Sequence, residues 1–199
     1  MKVTLNNIRE QEPCVKGWTK LLRTLGKTQA DDEPLPIIAI LDSNGLDDAL
    51  WCLRAVKGHD KEIRLLMIWC ARQVQHLMTD KRSLNALDVA ERFANGEATQ
   101  GELKAAHDDA RDALTDKARA SGAALAASEW NITQHAAWDA GISAEVDAAG
   151  EKAWAASNHE SNFLMPAAWS NARKAARSAA ERAQERKLCE ICDQCEVTA

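Results

Sequence analysis

The stretch IRLLMIWCARQVQHLM, Ile63 to Met78, places apolar side chains at Ile63, Leu66, Met67, Cys70, Val74, Leu77 and Met78. Steps of three and four residues return to one face of a 3.6-residue helix, whereas a half-buried strand alternates at every second position. The spacing therefore predicts an amphipathic α-helix with one face in a core. This is also the richest apolar window of the chain, yet it carries Arg64, Arg72 and His76. A membrane span needs roughly 18 or more apolar residues in succession, so none is expected.

Outward from that window the same period recurs. Val15, Trp18, Leu21, Leu22 and Leu25 form a stripe closed by Gly26, and Cys14 and Cys52 read as single cysteines within such stripes. A polar stretch with Pro34 and Pro36 leads into the short run Ile37–Leu41, and DSNG at Asp42–Gly45 is a turn signal. Leu46, Leu50, Leu53 and Val56 mark a helix ending before Gly58; Leu84, Leu87, Ala90 and Ala94 mark another, stopped by Asn95-Gly96. TQGE at Thr99–Glu102 is a capping box, in which the threonine oxygen and the glutamate each take an amide of the first turn.

Beyond it the texture changes, and alanine makes up roughly a third of the residues to Ala183. One stripe reads Trp138, Ile142, Val146, Ala149, Ala153 and another Trp169, Ala172, Ala176, Ala179, Ala183. Breaks near Ser121–Ser128 and Ser157–Pro166 leave three long helices, 100–127, 129–157 and 165–196. Alanine seams bury little area per residue but let helix axes approach closely, with tryptophans as anchors of register. The expected fold is all-α: an N-terminal helical array, 1–97, continued by a three-helix Ala/Trp-rich bundle, 98–199, sharing one core and without measurable strand.

The stretches SNGLDDALWCLRAV (Ser43–Val56), RLLMIWCARQVQHL (Arg64–Leu77) and ALDVAERFANGEATQGEL (Ala86–Leu103) resemble a family of alanine- and tryptophan-rich helical proteins of bacteria and their phages that carries the name of immunity proteins. The opening MKVTLNNIREQEPCVKGW and the fragments HAAWDAG and EKAWAAS fit the same group. The resemblance implies an all-helical fold and a phage or prophage origin. Its motifs are structural and imply no activity.

The net charge of −5 conceals an uneven layout. Residues 1–101 are balanced, Glu102–Glu151 hold ten acids against four bases, and Leu164–Lys187 hold six bases against two acids. HDDARDALTD sets Asp108, Asp112 and Asp116 at helical spacing with Asp109 beside them. Like charges so arranged repel, so the row is a solvated face, a contact surface for a basic protein, or a partner for the chain's own basic helix. Arg173, Lys174, Arg177, Arg182 and Arg186 supply that helix. Glutamates interrupt them and the isoelectric point is acidic, so nucleic acid is a lesser alternative.

LCEICDQC, Leu188–Cys195, is the remaining candidate for chemistry. On a helix Leu188, Ile191, Cys192 and Cys195 share one stripe and Cys189 lies to one side. A structural zinc site wants four ligands from two sharply turned knuckles, and CEIC has neither a glycine nor a second pair. The cysteines therefore read as core residues, with no metal and no cofactor. The five histidines are scattered, and neither a Gly-x-Ser-x-Gly elbow nor a phosphate loop is present. With no secretory leader read after Met1-Lys2, the expectation is a cytoplasmic, non-enzymatic interaction protein of phage origin that blocks a host macromolecule, such as a defence complex. Asp108, Asp109, Asp112 and Asp116 are its expected contact residues. The alternatives are an immunity protein neutralising a cognate toxin and a regulatory nucleic-acid binder.

Overall fold

A computed structural model describes residues 1–112, 124, 127, 135–156 and 165–197. The fold is all-α, with one small exception at the start of the chain. Strands β1 (Lys2–Val3) and β2 (Leu35–Pro36) pair antiparallel, Lys2 opposite Pro36 and Val3 opposite Leu35. The contact is too small to change the all-α class. Two residues on each side are too short for alternation to register, and 31 residues separate them in the chain (Thr4–Pro34).

Helices α1 (Leu5–Glu10), α2 (Val15–Thr24), α3 (Ile37–Asn44) and α4 (Leu46–Cys52) form the first layer. Thr4 caps α1 by accepting the amide of Asn7, and Leu5 and Ile8 are buried. DSNG is not a turn throughout: α3 runs on through Asp42, Ser43 and Asn44, and the break falls on Gly45 alone. Gly45 has φ +96°, ψ 178°, a region that side chains exclude. Its amide donates to Leu41 and its carbonyl accepts from Ala49, so one residue closes α3 and opens α4.

A 3₁₀ turn, Leu53–Ala55, ends this layer, and α5 (Asp60–Gln73) follows. It buries Ile63, Leu66, Met67 and Cys70 as the spacing predicts. The regular helix stops at Gln73; Leu77 belongs to a further 3₁₀ turn, Gln75–Leu77. Helix α6 (Lys81–Ala94) ends at Asn95-Gly96 as expected, and α7 (Gln100–Asp112) packs back on it. The capping box is formed as read. The Thr99 amide donates to Glu102 Oε2 at 2.8 Å, and the Glu102 amide donates to Thr99 Oγ1 at 3.2 Å.

Helices α8 (His135–Ala156) and α9 (Met165–Val197) complete the molecule, and α9 is 33 residues long. The expected end of the 100–127 helix and both expected breaks fall largely outside the described residues. Val146 is buried on α8, whereas the side chains of Trp138, Ile142 and Trp169 are outside the description. On α9 the expected stripe holds at Ala172, Ala176 and Ala183, which are half-buried, but Ala179 is exposed and Ala180 packs on the core in its place. The seam then continues through Gln184 and Leu188 to Ile191, Cys192 and Cys195, all buried. The C-terminal part of α9 thus joins the same core cluster as Ile37, Ile40, Leu66 and Leu87.

Candidate functional site

Helix α2 is where the sequence reading and the structure diverge most. By its spacing Val15 belongs to the apolar stripe, but it is 82% exposed at the first position of the helix. Cys14 is not a core residue either. It is exposed and occupies the N-cap of α2, where its Sγ accepts the Gly17 amide at 3.3 Å. A thiol here does the work that serine or aspartate usually does.

The N-terminal turns of α2 and α4 are pinned by Asn44, the last residue of α3. Its Nδ2 donates to the Gly17 carbonyl at 2.9 Å and to Asp48 Oδ2 at 2.7 Å. The Ser43 hydroxyl donates to Asn44 Oδ1 at 2.9 Å, fixing which way that amide points. A Cβ at Gly17 would lie 2.9 Å from Asp48 Oδ2, so the close approach depends on glycine. Residues far apart in sequence are thereby held around one hollow.

The hollow is a cavity of about 240 Å³. Its deep side is apolar, from Ile8, Leu21 and Ile40, and the part-exposed Trp18 and Trp51 flank it. Cys14, Asp47 and Asp48 stand at the open side. Trp51 is held in place from behind. The Arg54 guanidinium lies 4.3 Å from its ring centroid, and Arg54 Nε donates to its carbonyl at 3.0 Å. Cys52 also lines the cavity, but burial, reinforced by Asp48, pushes its thiol up to about 12, so it stays protonated. An apolar pocket between two tryptophans with an acidic rim has the composition of a contact hot spot.

The described part of the acidic row lies at the surface and is balanced locally. Asp108 accepts from Lys104 and Arg111 of its own helix, and the Lys104 hydrogen bond is the main cause of its lowered pKa. Asp109 and Asp112 are exposed and lie within electrostatic reach of Arg82 on α6. Asp116 lies outside the described residues. Among the described residues, the basic helix pairs elsewhere: Arg173 bonds Asp147 of α8, and Arg177 lies 3.8 Å from Glu181 on α9 itself. Lys174, Arg182 and Arg186 are exposed, and the last two share a shallow surface with Glu185, Glu190 and Asp193.

In the tail, Cys192 and Cys195 are buried and Cys189 is half-buried, as their spacing predicts. Burial pushes the Cys192 thiol up to about 11 and raises the other two. Among the described residues, no three His, Cys, Asp or Glu side chains converge as a metal site. No described helix is long and apolar enough to cross a membrane.

The α2–α4 cavity escaped the sequence reading because its parts lie in four short helices. Pro13-Cys14, Trp18, Asp47-Asp48 and Trp51 were each visible, but only the Gly45 break and the Asn44 hydrogen bonds bring them together. No family profile, curated protein or solved structure matches the chain.

Proposed function

We propose that this is a non-enzymatic interaction protein, encoded by a phage or prophage and acting in the host cytoplasm, that binds and blocks a host protein such as a component of a defence complex. The observation that carries the reading is the cavity between Trp18 and Trp51, apolar within and acidic at its rim, with the exposed Val15 next in the chain to Cys14. Burying an exposed valine gains about 1.5 kcal/mol or more, and rim aspartates steer a basic partner and fix its register. The contact is therefore centred on Val15, Trp18, Asp47 and Trp51, with Asp109 and Asp112 as a second acidic face. The phage origin rests on the resemblance of Ser43–Val56 and its neighbours to the bacterial and phage family. Direct nucleic-acid binding is disfavoured, since the bases of α9 are interleaved or paired with acids.

The test is capture of a bacterial protein by the wild type and by a Val15→Glu/Asp47→Lys double variant. Both positions are exposed, so the variant should keep its melting temperature while losing the captured protein. Equal capture by both would reject this contact surface. Recovery of a toxin encoded beside the gene would favour the immunity reading.

A further inference from the structure

A second cavity, of about 230 Å³, opens between α5, α8 and α9. Its lining is unlike that of a packing defect. Gln184 reaches it from α9, is only 4% exposed, and its Oε1 is buried without a hydrogen-bond partner among the described residues. Glu145 of α8 lines the same space and has no ion pair among the described residues. Trp69 of α5 and Val74, just past its end, supply aromatic and apolar surface, and Ala180 and Ala183 of α9 leave the room.

A buried amide oxygen without a donor costs about 1–3 kcal/mol, and an apolar side chain at position 184 would avoid that cost. The amide earns its place if something entering the cavity donates to it. The donor's charge is set by Glu145, since burial keeps the Cys70 thiol that also lines this space protonated, and its body by Trp69, Val74 and the alanines. The volume lies below the roughly 300–1,000 Å³ of sites for drug-sized ligands. Ammonium and guanidinium groups satisfy all of these terms: they donate hydrogen bonds, pair with a carboxylate, and pack on tryptophan.

We propose that this cavity is a binding site for a small organic cation, an alkylammonium or alkylguanidinium, whose N–H groups donate to Gln184 and Glu145 while its alkyl arm packs on Trp69 and Val74. It is separate from the Trp18–Trp51 contact, and either can fail without the other. The probes are butylguanidinium and butylammonium, with butyrate and butanol as controls of matched length, followed by tryptophan indole N–H resonances and by calorimetry. One or both cations should shift the Trp69 indole signal with a dissociation constant of about 1 mM or tighter, and neither control should. Glu145→Gln should weaken binding about tenfold or more. Gln184→Leu should abolish it without lowering the melting temperature, since an apolar group replaces an unsatisfied one. If Gln184→Leu proves to lower the melting temperature, Glu145→Gln and the cavity-filling Ala183→Met decide in its place. Binding of butanol as tight as butylammonium, no shift with either cation, or binding unchanged in Glu145→Gln would each overturn the proposal.

Discussion

Cys14 and Cys70 are one residue type in opposite circumstances, and the difference is measurable. Cys14 is exposed at a helix start, whereas Cys70 is buried and its thiol is pushed up to about 12 by desolvation. With a soluble disulfide reagent at neutral pH, Cys14 should react within the mixing time, and Cys52, Cys70 and Cys192 only as the protein unfolds. A native protein in which Cys70 reacted at the rate of Cys14 would contradict this. Cys14→Ser keeps a capping acceptor of a better type and is expected to be neutral or stabilising by about 0.5 kcal/mol in urea denaturation. Cys192→Ser buries a hydroxyl and should cost about 1 kcal/mol, while Cys189→Ser, at a half-buried position, should cost little. The tail was legible because its apolar residues share one helical stripe. Cys14 was not, because capping depends on where the helix starts, and an apolar Val15 beside it mimics the first member of a stripe.

The start of α7 was read correctly because two side chains at a fixed spacing make its cap. Thr99 and Glu102 form the box that their three-residue spacing encodes, and Thr99→Ala should cost about 1 kcal/mol in thermal or urea melts. Asp80, the N-cap of α6, is held down to about 2, first by its hydrogen bond with the Arg82 side chain and then by the Arg82 amide. A carboxylate held below its unfolded value stabilises the fold above that value and ceases to do so as pH falls. Its contribution should fade between pH 4 and about 2. Asp80→Asn keeps a good capping side chain, so its melting temperature should depend less on pH across that interval than the wild type's. Parallel melting curves for the two proteins would show that the bond contributes nothing. Elements were less legible where the backbone decides. Asp42–Asn44 have turn-forming side chains, yet the helix absorbs them because Gly45 alone can take the required φ. On α9, an almost continuous alanine face gives no size contrast between Ala179 and Ala180, so the buried side could not be told from its neighbour.

Across the described residues, the uneven charge shows several short-range pairs. Bonds from Lys104 and Arg111 to Asp108 stay within α7, and Arg72 ties α5 to α6 through Asp88 at 2.7 Å and Glu91 at 2.8 Å. Arg173 joins α9 to α8. Reversing Asp112 to Lys should therefore be partly rescued in stability by Arg82→Glu and not by Arg173→Glu. A double-mutant cycle read by urea denaturation separates the two, and rescue by Arg173→Glu would restore the antiparallel neutralisation that the sequence suggested. The all-α class was legible because stripes such as Ile63–Met78 repeat one period. The Trp18–Trp51 cavity was not, since it depends on Asn44, Gly17 and Gly45 setting the angles between short helices.

Helix α9 draws these scales together in time. Its 33 residues span about 50 Å. The turns around Asn171–Ala179 are largely exposed, while Leu188, Ile191, Cys192 and Cys195 lie in the common core. Deuterium should enter the first set of amides through brief local openings and the second only when the entire chain opens. One continuous rod would then carry two clocks, and the point along it where the slow one takes over marks the edge of the cooperative unit.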